Sequence, residues 1–371
     1  MLWRIGYQVS VARLEAPDRI LEKYLKPALK ELGGKTKGDE AGQVFHQFAT
    51  FCDQQLQDPG SIEDLERLQR LRNNKGDEVE QFEKLIKSTT SESKRKGYRR
   101  LKDKAKTWLD IDEGELQRHI ASREELLRAC LENYLLALSA SDDHDGNALR
   151  FSNLWLGNSE NQSSNDAVSK HLAQVPSRKF ARLMNQLTSR LQDSSSSFQG
   201  LLYGLVKRIS QEHPYHGMYQ IYSSAKSLPN KQDESAISRH KTTMKLTKDF
   251  QASNVASIWR ALNVTNDAYC LLAAEANAQY KQSRKFQLDF SIAAMKLQSL
   301  LKNFPVPSPT MNVPLAANLD YSNVPKMRKF DGQFTIAGGV SSPKILTAIA
   351  SNGARFKQLV LRNILLLLHL C

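Results

Sequence analysis

One stretch of this sequence has the residue types of a phosphate-gripping turn. Ala337-Gly338-Gly339-Val340-Ser341-Ser342-Pro343-Lys344 lies between two segments that read as strands. Small residues let backbone N–H groups approach phosphate oxygens, and a serine hydroxyl adds a donor. The spacing matches neither GxGxxG nor GxxxxGK[ST], so by spacing alone a plain strand-to-strand turn accounts for it better. His213 and His216 flank Pro214-Tyr215 and could serve a metal or act as a base. No carboxylate or cysteine stands at ligand spacing beside them, and a structural helix-end role fits better. Asp142, Asp143, His144 and Asp145 form an acidic patch without the spaced ligands and closing Glu of a calcium loop, which leaves a capping loop. No nucleophile elbow surrounds the scattered serines. Spacing therefore assigns no catalytic and no metal-ligating residue.

The 371 residues hold 52 Lys and Arg against 39 Asp and Glu, a formal charge of +13 that raises an acidic partner such as nucleic acid. The sharpest basic cluster is Lys94, Arg95, Lys96, Arg99, Arg100, Lys102, Lys104 and Lys106, broken by Tyr98 and Asp103. It offers a direct nucleic-acid contact or a nuclear-localisation patch, but the plainer reading is a solvated helix face. Cys52, Cys130, Cys270 and Cys371 lie far apart with no CxxC pair, which fits a reduced intracellular compartment. The first residues are too short and polar a segment for a signal peptide. The apolar run from Ile364 to Leu368 is well short of the roughly 20 residues that span a bilayer, so no membrane partner is expected.

Two kinds of element would position these residues. Most of the chain reads as helix: Phe180, Leu183, Met184, Leu187 and Leu191 recur at three and four, and Phe198, Leu201, Leu202, Leu205, Val206 and Ile209 repeat the pattern until His213-Pro214 stops it. Ser122-Arg123-Glu124-Glu125 reads as a capping box opening a helix whose stripe runs from Leu126 to Leu138. Another helix surrounds Ile258, Leu262, Tyr269 and Leu272. From Ser61 to about Gln117 the apolar positions are sparse and the charge high, which predicts a long projecting helical hairpin. Loops are expected at Gly33 to Gly42, Ser88 to Gly97, Asn158 to Asn165 and Ser227 to Glu234. Pro305, Pro307, Pro309 and Pro314 then mark a linker, and period-two signals follow. Ile345 to Ala350 and Arg355 to Val360, joined through Asn352-Gly353, predict a β-hairpin. Two strands alone are marginal in water, so the rest of the sheet is expected to be missing or supplied elsewhere. The predicted class is mainly α: an α-solenoid of helical hairpins followed by a partial β-rich lobe.

Several phrases, in order, carry a family resemblance. Trp3-Arg4-Ile5-Gly6, Ala12-Arg13-Leu14-Glu15, Asn147 to Phe151, Val175 to Phe180 and His213 to His216 resemble the FAT region of the ataxia-telangiectasia mutated kinase family. Pro309-Thr310-Met311, Asp320 to Pro325, Ala337-Gly338-Gly339, Pro343-Lys344-Ile345 and Phe356 to Val360 resemble the start of the phosphatidylinositol 3-kinase-related kinase domain in the fungal telomere-maintenance branch. The resemblance implies residues 1–303 as a FAT-type solenoid, 304–325 as a Pro-rich linker, 326–360 as an incomplete kinase amino-terminal lobe and 361–371 as a divergent apolar tail. It implies ATP and magnesium in the intact protein, with Gly338, Gly339, Ser341, Ser342, Pro343 and Ile345 near the nucleotide. It also implies a serine/threonine kinase of DNA-damage checkpoint signalling, located in the nucleus at chromosomes and telomeres. Its partners would be proteins of the DNA-damage response, with nucleic acid mostly indirect.

The family pattern expects a lysine after Val360 and then an acidic segment, where this chain has Leu361-Arg362-Asn363-Ile364, a departure that reads as a misread intron or frameshift. The chain alone is accordingly expected to be inactive and to bind neither ATP nor magnesium well, and the alternative is a non-enzymatic helical scaffold that binds protein partners.

Overall fold

The computed structural model describes residues 2–275, 285–337 and 343–361, and its contacts divide the chain into two compact units, Met1–Pro176 and Ser177–Cys371. The first unit is helical. It contains α1 (Leu2–Val11), α2 (Pro17–Ile20), α3 (Lys26–Glu31), α4 (Asp39–Gln57), α5 (Pro59–Ser88), α6 (Glu92–Ala140), α7 (Asn147–Gly157) and α8 (Gln162–His171). On α4, Ala41, Val44, Phe45, Phe48, Ala49 and Cys52 recur at three and four and are buried. The matching stripe on α6 is Leu127, Cys130, Leu131, Tyr134, Leu135 and Leu138, and α4 and α6 pack together along it.

Helices α5 and α6 form the expected hairpin. Asp58 caps α5 by accepting from Ser61 N at 3.0 Å, with Pro59 in the first turn where its missing N–H costs nothing. Between the arms the buried positions thin to Leu68, Ala105 and Leu116, and ion pairs such as Arg72–Glu113 at 2.6 Å and Lys102–Glu83 at 3.5 Å fill the gap.

Three expectations are corrected here. The loop at Ser88 to Gly97 shrinks to Thr89-Thr90-Ser91, because α6 already begins at Glu92. Ser122 opens no helix: α6 runs through it for 49 residues. A capping box needs the chain to leave helical geometry at its serine, and here the next residue, Arg123, is held against α5 and α4 by donating to Ser61 Oγ and Leu56 O, both at 2.8 Å. Likewise α8 starts at Gln162, inside the loop expected at Asn158 to Asn165, capped by Asn161 accepting from Ser164 N.

One buried charge ties this unit together. Asp53 on α4, 5% exposed, accepts from Arg150 Nε and Nη2 on α7 at 2.6 Å each and from the Tyr134 hydroxyl on α6 at 3.0 Å. A carboxylate taken out of water needs such a set of donors.

The second unit begins with short pieces rather than one helix. Residues Ser177–Lys179 and Ala181–Leu183 are 3₁₀ turns before α9 (Met184–Ser189), which corrects the single helix expected over 180–191. The apolar residues still reach the core, since a three-residue period also places i and i+3 on one side of a 3₁₀ turn. There follow α10 (Ser197–Glu212), α11 (Pro214–Lys226), α12 (Glu234–Gln251), α13 (Ala256–Ala274), β1 (Lys285–Gln287), α14 (Ile292–Asn303), β2 (Met327–Phe330), β3 (Gln333–Ile336), β4 (Lys344–Ala350) and β5 (Arg355–Val360). Gly217 on α11 is required where it stands, because a Cβ there would meet the Ser210 backbone on α10 at 2.8 Å.

The strands form an antiparallel sheet in the order β1-β3-β4-β2, with β5 paired along β4. The β4–β5 hairpin is the one expected from the sequence. Gly353 turns it with φ of 84°, a conformation glycine adopts without strain.

Arg150→Met should destabilise the first unit by about 3 kcal/mol, because it leaves the Asp53 carboxylate buried without its cation. An unchanged urea midpoint for the loss of α4–α6 helicity would remove this ion pair from the account of stability.

Candidate functional site

The sheet has two unlike faces, and their difference follows from strand alternation. Along β4, Lys344, Leu346, Ala348 and Ala350 are buried while Ile345, Thr347 and Ile349 are half-buried. Met327 and Phe330 of β2, Phe334 and Ile336 of β3 and Gln358 of β5 join the buried face. A bulge in β2 between Met327 and Lys329 lets both of its ends point inward. Helices α13 and α14 pack against this unit's strands: Tyr269 meets Phe330 edge-on with centroids 6.5 Å apart, and Gln298 accepts from Phe330 N at 3.0 Å.

A chain of buried hydrogen bonds holds the sheet to α13. The Tyr269 hydroxyl donates to Gln358 Oε1 at 2.7 Å, and Gln358 Nε2 donates to Ser308 Oγ at 2.9 Å. Burial pushes the Tyr269 phenol well above its ordinary pKa, so it stays a donor.

Lys344 belongs to the buried face with 1% exposure. Its ammonium donates to Leu272 O at 3.0 Å and Glu275 O at 2.9 Å, the carbonyls at the end of α13, with the Glu275 carboxylate farther off at 3.9 Å. The negative end of a helix dipole and its unpaired carbonyls suit a cation. That carboxylate instead accepts from Ser291 Oγ at 2.6 Å and lies 3.4 Å from Ala293 N, at the start of α14.

The opposite face presents Ile345, Thr347, Ile349 and Leu359, surrounded by Lys285, Lys329, Arg355 and Lys357. Among the described residues no strand carries a carboxylate, and of these four cations only Arg355 is met by one, Asp331 in the turn after β2. An apolar centre with a basic rim suits a flat, anionic ligand.

The glycine-bearing turn joins β3 to β4 on this sheet. Of its residues, Gly338, Gly339, Ser341 and Ser342 lie outside the described residues. Pro343 is buried and accepts from Ala337 N at 2.9 Å, closing the base of the turn, and Ile345 follows on the open face, paired with Thr335 and Leu359. Sequence reasoning missed Lys344 as an anchor. Its signal was a lysine at an inward position of an alternating strand.

The other candidates separate from this face. His213, fully buried, bonds Tyr321 Oη through Nδ1 at 2.6 Å, and His216 Nε2 donates to Val313 O at 2.8 Å. The two histidines fasten the segment after Pro305 to the α10–α11 corner, a structural role at a helix end. Among the described residues no group of three or more His, Cys, Asp or Glu could hold a metal, and no helix is long and apolar enough to cross a membrane. In the basic cluster, Arg95 bonds Glu92 and Thr89 O, and Lys102 pairs with Glu83, so part of that charge is spent within the α5–α6 hairpin. The acidic patch is a turn beside α7, where His144 stacks on His46 at 4.4 Å.

No family model matches the chain. Among curated proteins it is 50% identical over 363 residues to the serine/threonine-protein kinase tel1 of Neurospora crassa, covering 97% of this chain and 12% of that protein. It is 50% identical over 362 residues to TEL1 of Gibberella zeae and 27% identical over 357 residues to tel1 of Schizosaccharomyces pombe. The chain thus spans about an eighth of the length of the curated relatives it matches. Among solved structures it is similar to the open conformation of CtTel1, with TM-score 0.88 and 50% identity, covering 96% of this chain and 13% of that one. It is also similar to the FAT and kinase domain of CtTel1, with TM-score 0.86 and 49% identity, covering 96% of this chain and 24% of that one.

Burial holds His213 down at about 4, with His216 and Arg178 also opposing its charge and Glu212 favouring it. As pH falls below about 6.5 the unfolded chain takes up this proton before the folded one does, so stability drops between about pH 6.5 and 4 and levels off below. The loss should reach at most about 3 kcal/mol. His213→Gln should flatten this part of the profile of urea midpoint against pH; a profile unchanged by the substitution would mean that His213 does not titrate this way.

Proposed function

We propose a function from one premise: this chain belongs to the Tel1 serine/threonine-protein kinase family and corresponds to the stretch in which the FAT and kinase domains adjoin. In the intact kinase, this segment forms part of the helical frame and the beginning of the amino-terminal lobe, and the open basic face of the sheet is turned toward ATP. That face is the observation that carries the reading. Ile345 stands on it next to the glycine-bearing turn, with basic residues on the same face and no carboxylate on the strands among the described residues.

Residues Gly338, Gly339, Ser341 and Ser342 would approach the phosphates, and Pro343 and Ile345 would flank the nucleotide. Magnesium finds no ligand set among the described residues and would be held by family residues that the resemblance does not map onto this chain. Bound magnesium-ATP supplies the phosphoryl group, and the chain's own share is to hold and orient the nucleotide. By family, the acceptors are serine or threonine followed by glutamine in nuclear proteins of the DNA-damage checkpoint and of telomere maintenance.

Strand alternation continued one residue past β5 assigns position 361 to the same side as Leu359 and Ile345. The family pattern expects its phosphate-pairing lysine there, and this chain has Leu361. The side on which the lysine would be needed agrees with the proposed nucleotide face. Phosphoryl transfer also needs a base-positioning aspartate and metal-holding groups that the resemblance does not map here. The 371-residue chain alone is therefore a binding segment rather than a phosphotransferase. Leu361 favours, as a second reading, a helical scaffold that engages protein partners without ATP.

Incubated with radiolabelled ATP, magnesium and a peptide containing Ser-Gln, the 371-residue chain should transfer no phosphate above background, and the full-length kinase that carries this segment should. Transfer by the short chain would overturn its inactivity; ATP-independence of the full-length protein would leave the scaffold reading.

A further inference from the structure

Lys344 is a buried cation that the proposed reaction does not use. It is 1% exposed, lies between Pro343 and Ile345, and points to the opposite side of β4 from Ile345. A lysine side chain loses most of its rotamer freedom in such a place, and its ammonium must replace lost water with fixed oxygens. Leu272 O and Glu275 O supply them at 3.0 and 2.9 Å. Both belong to the C-terminal end of α13, whose carbonyls have no partner within the helix. The same residue Glu275 holds the start of α14 through its carboxylate. Lys344 therefore joins the end of one helix, the start of another and the first residue of β4.

A methionine of similar length would fill this volume without the hydrogen bonds. The presence of a charged group instead specifies one register of β4 against α13, since sliding the strand by one residue would put Ile345 among the carbonyls and the ammonium on the open face. The flanking Pro343 and Ile345 inherit that placement.

We propose that Lys344 is a positioning residue for nucleotide binding: by fixing the N-terminal end of β4 to the end of α13, it places Ile345 on the open face, beside the turn that Pro343 closes, at the height the nucleotide requires. This rests on the reading of that face as the ATP side. It makes no contact with ATP and takes part in no chemical step.

The test uses the full-length kinase that carries this segment, with KM for ATP, KM for a Ser-Gln peptide and kcat measured separately. Lys344→Met should raise KM for ATP about tenfold, with kcat within about threefold and KM for the peptide unchanged, since it displaces a binding surface and leaves the reacting groups alone. Lys344→Arg keeps charge and donors and should recover most of the affinity. Glu275→Gln keeps both backbone carbonyls and should leave KM for ATP within about twofold.

KM for ATP unchanged in folded Lys344→Met would overturn the proposal, as would a fall in kcat with KM unaltered. If Lys344→Met does not fold, Lys344→Gln, with a shorter uncharged donor, decides: a raised KM for ATP with kcat kept supports the inference, and an unchanged KM sinks it. Ile345→Ala separates the two levels. If it raises KM for ATP while the Lys344 variants do not, only the anchor falls; if it too has no effect, the reading of this face as the nucleotide side falls and the anchor with it.

Discussion

An ammonium group with 1% exposure is the constraint around which the sheet-bearing part of this chain is arranged. Leaving it unpaired would cost several kcal/mol, so the strand that carries Lys344 can occupy only a position where carbonyls meet it. The end of α13 is such a position, because a helix always leaves its last carbonyls without internal partners. Once β4 is seated there, its alternation sends Leu346, Ala348 and Ala350 into the core beside Phe330, Phe334 and Ile336, and sends Ile345, Thr347 and Ile349 the other way. The Tyr269–Gln358–Ser308 hydrogen bonds repeat the device for β5. Polar bonds thus set the register, and apolar burial supplies the greater part of the free energy.

The first unit solves a related problem with the opposite sign. Asp53 is a buried carboxylate on α4, and its partners come from α6 and α7. The three helices must meet in one arrangement for the carboxylate to receive all its donors. Away from that point the α5–α6 hairpin has few buried side chains and relies on helix propensity and exposed ion pairs, each of which contributes little. Its charge-rich sequence is what a two-helix hairpin with a thin apolar seam requires, and this explains much of the basic cluster without any ligand.

Parts of the fold were legible because they are encoded locally. Asn352-Gly353 between two apolar runs can hardly be anything but a turn, and Gly353 adopts the left-handed conformation that such a turn needs. Pro214 ends one helix and begins the next, as its fixed φ and missing N–H dictate. The α4 stripe of Ala41, Val44, Phe45, Phe48, Ala49 and Cys52 is encoded just as locally. Where local signals misled, a distant partner decided. Ser122 to Glu125 has the residues of a capping box, yet α6 continues through it alongside α5. Phe180 to Leu191 has helical spacing, yet the backbone divides it into 3₁₀ turns and one short helix, because both geometries bury residues three apart.

The amino-acid sequence alone determined the class of the protein: amphipathic helices, a proline-marked change of texture, a glycine-bearing turn before a β-hairpin, and phrases that resemble one kinase family. By that resemblance Leu361 stands where a lysine is expected. Only the tertiary structure decided which side of the sheet is open and basic, that Lys344 faces away from it, and that His213 and His216 fasten the segment carrying Val313 and Tyr321. The reason is physical. Turn and helix preferences act between residues a few positions apart, whereas the fate of a buried charge depends on carbonyls some 70 residues away in the chain, which only folding brings within hydrogen-bond reach.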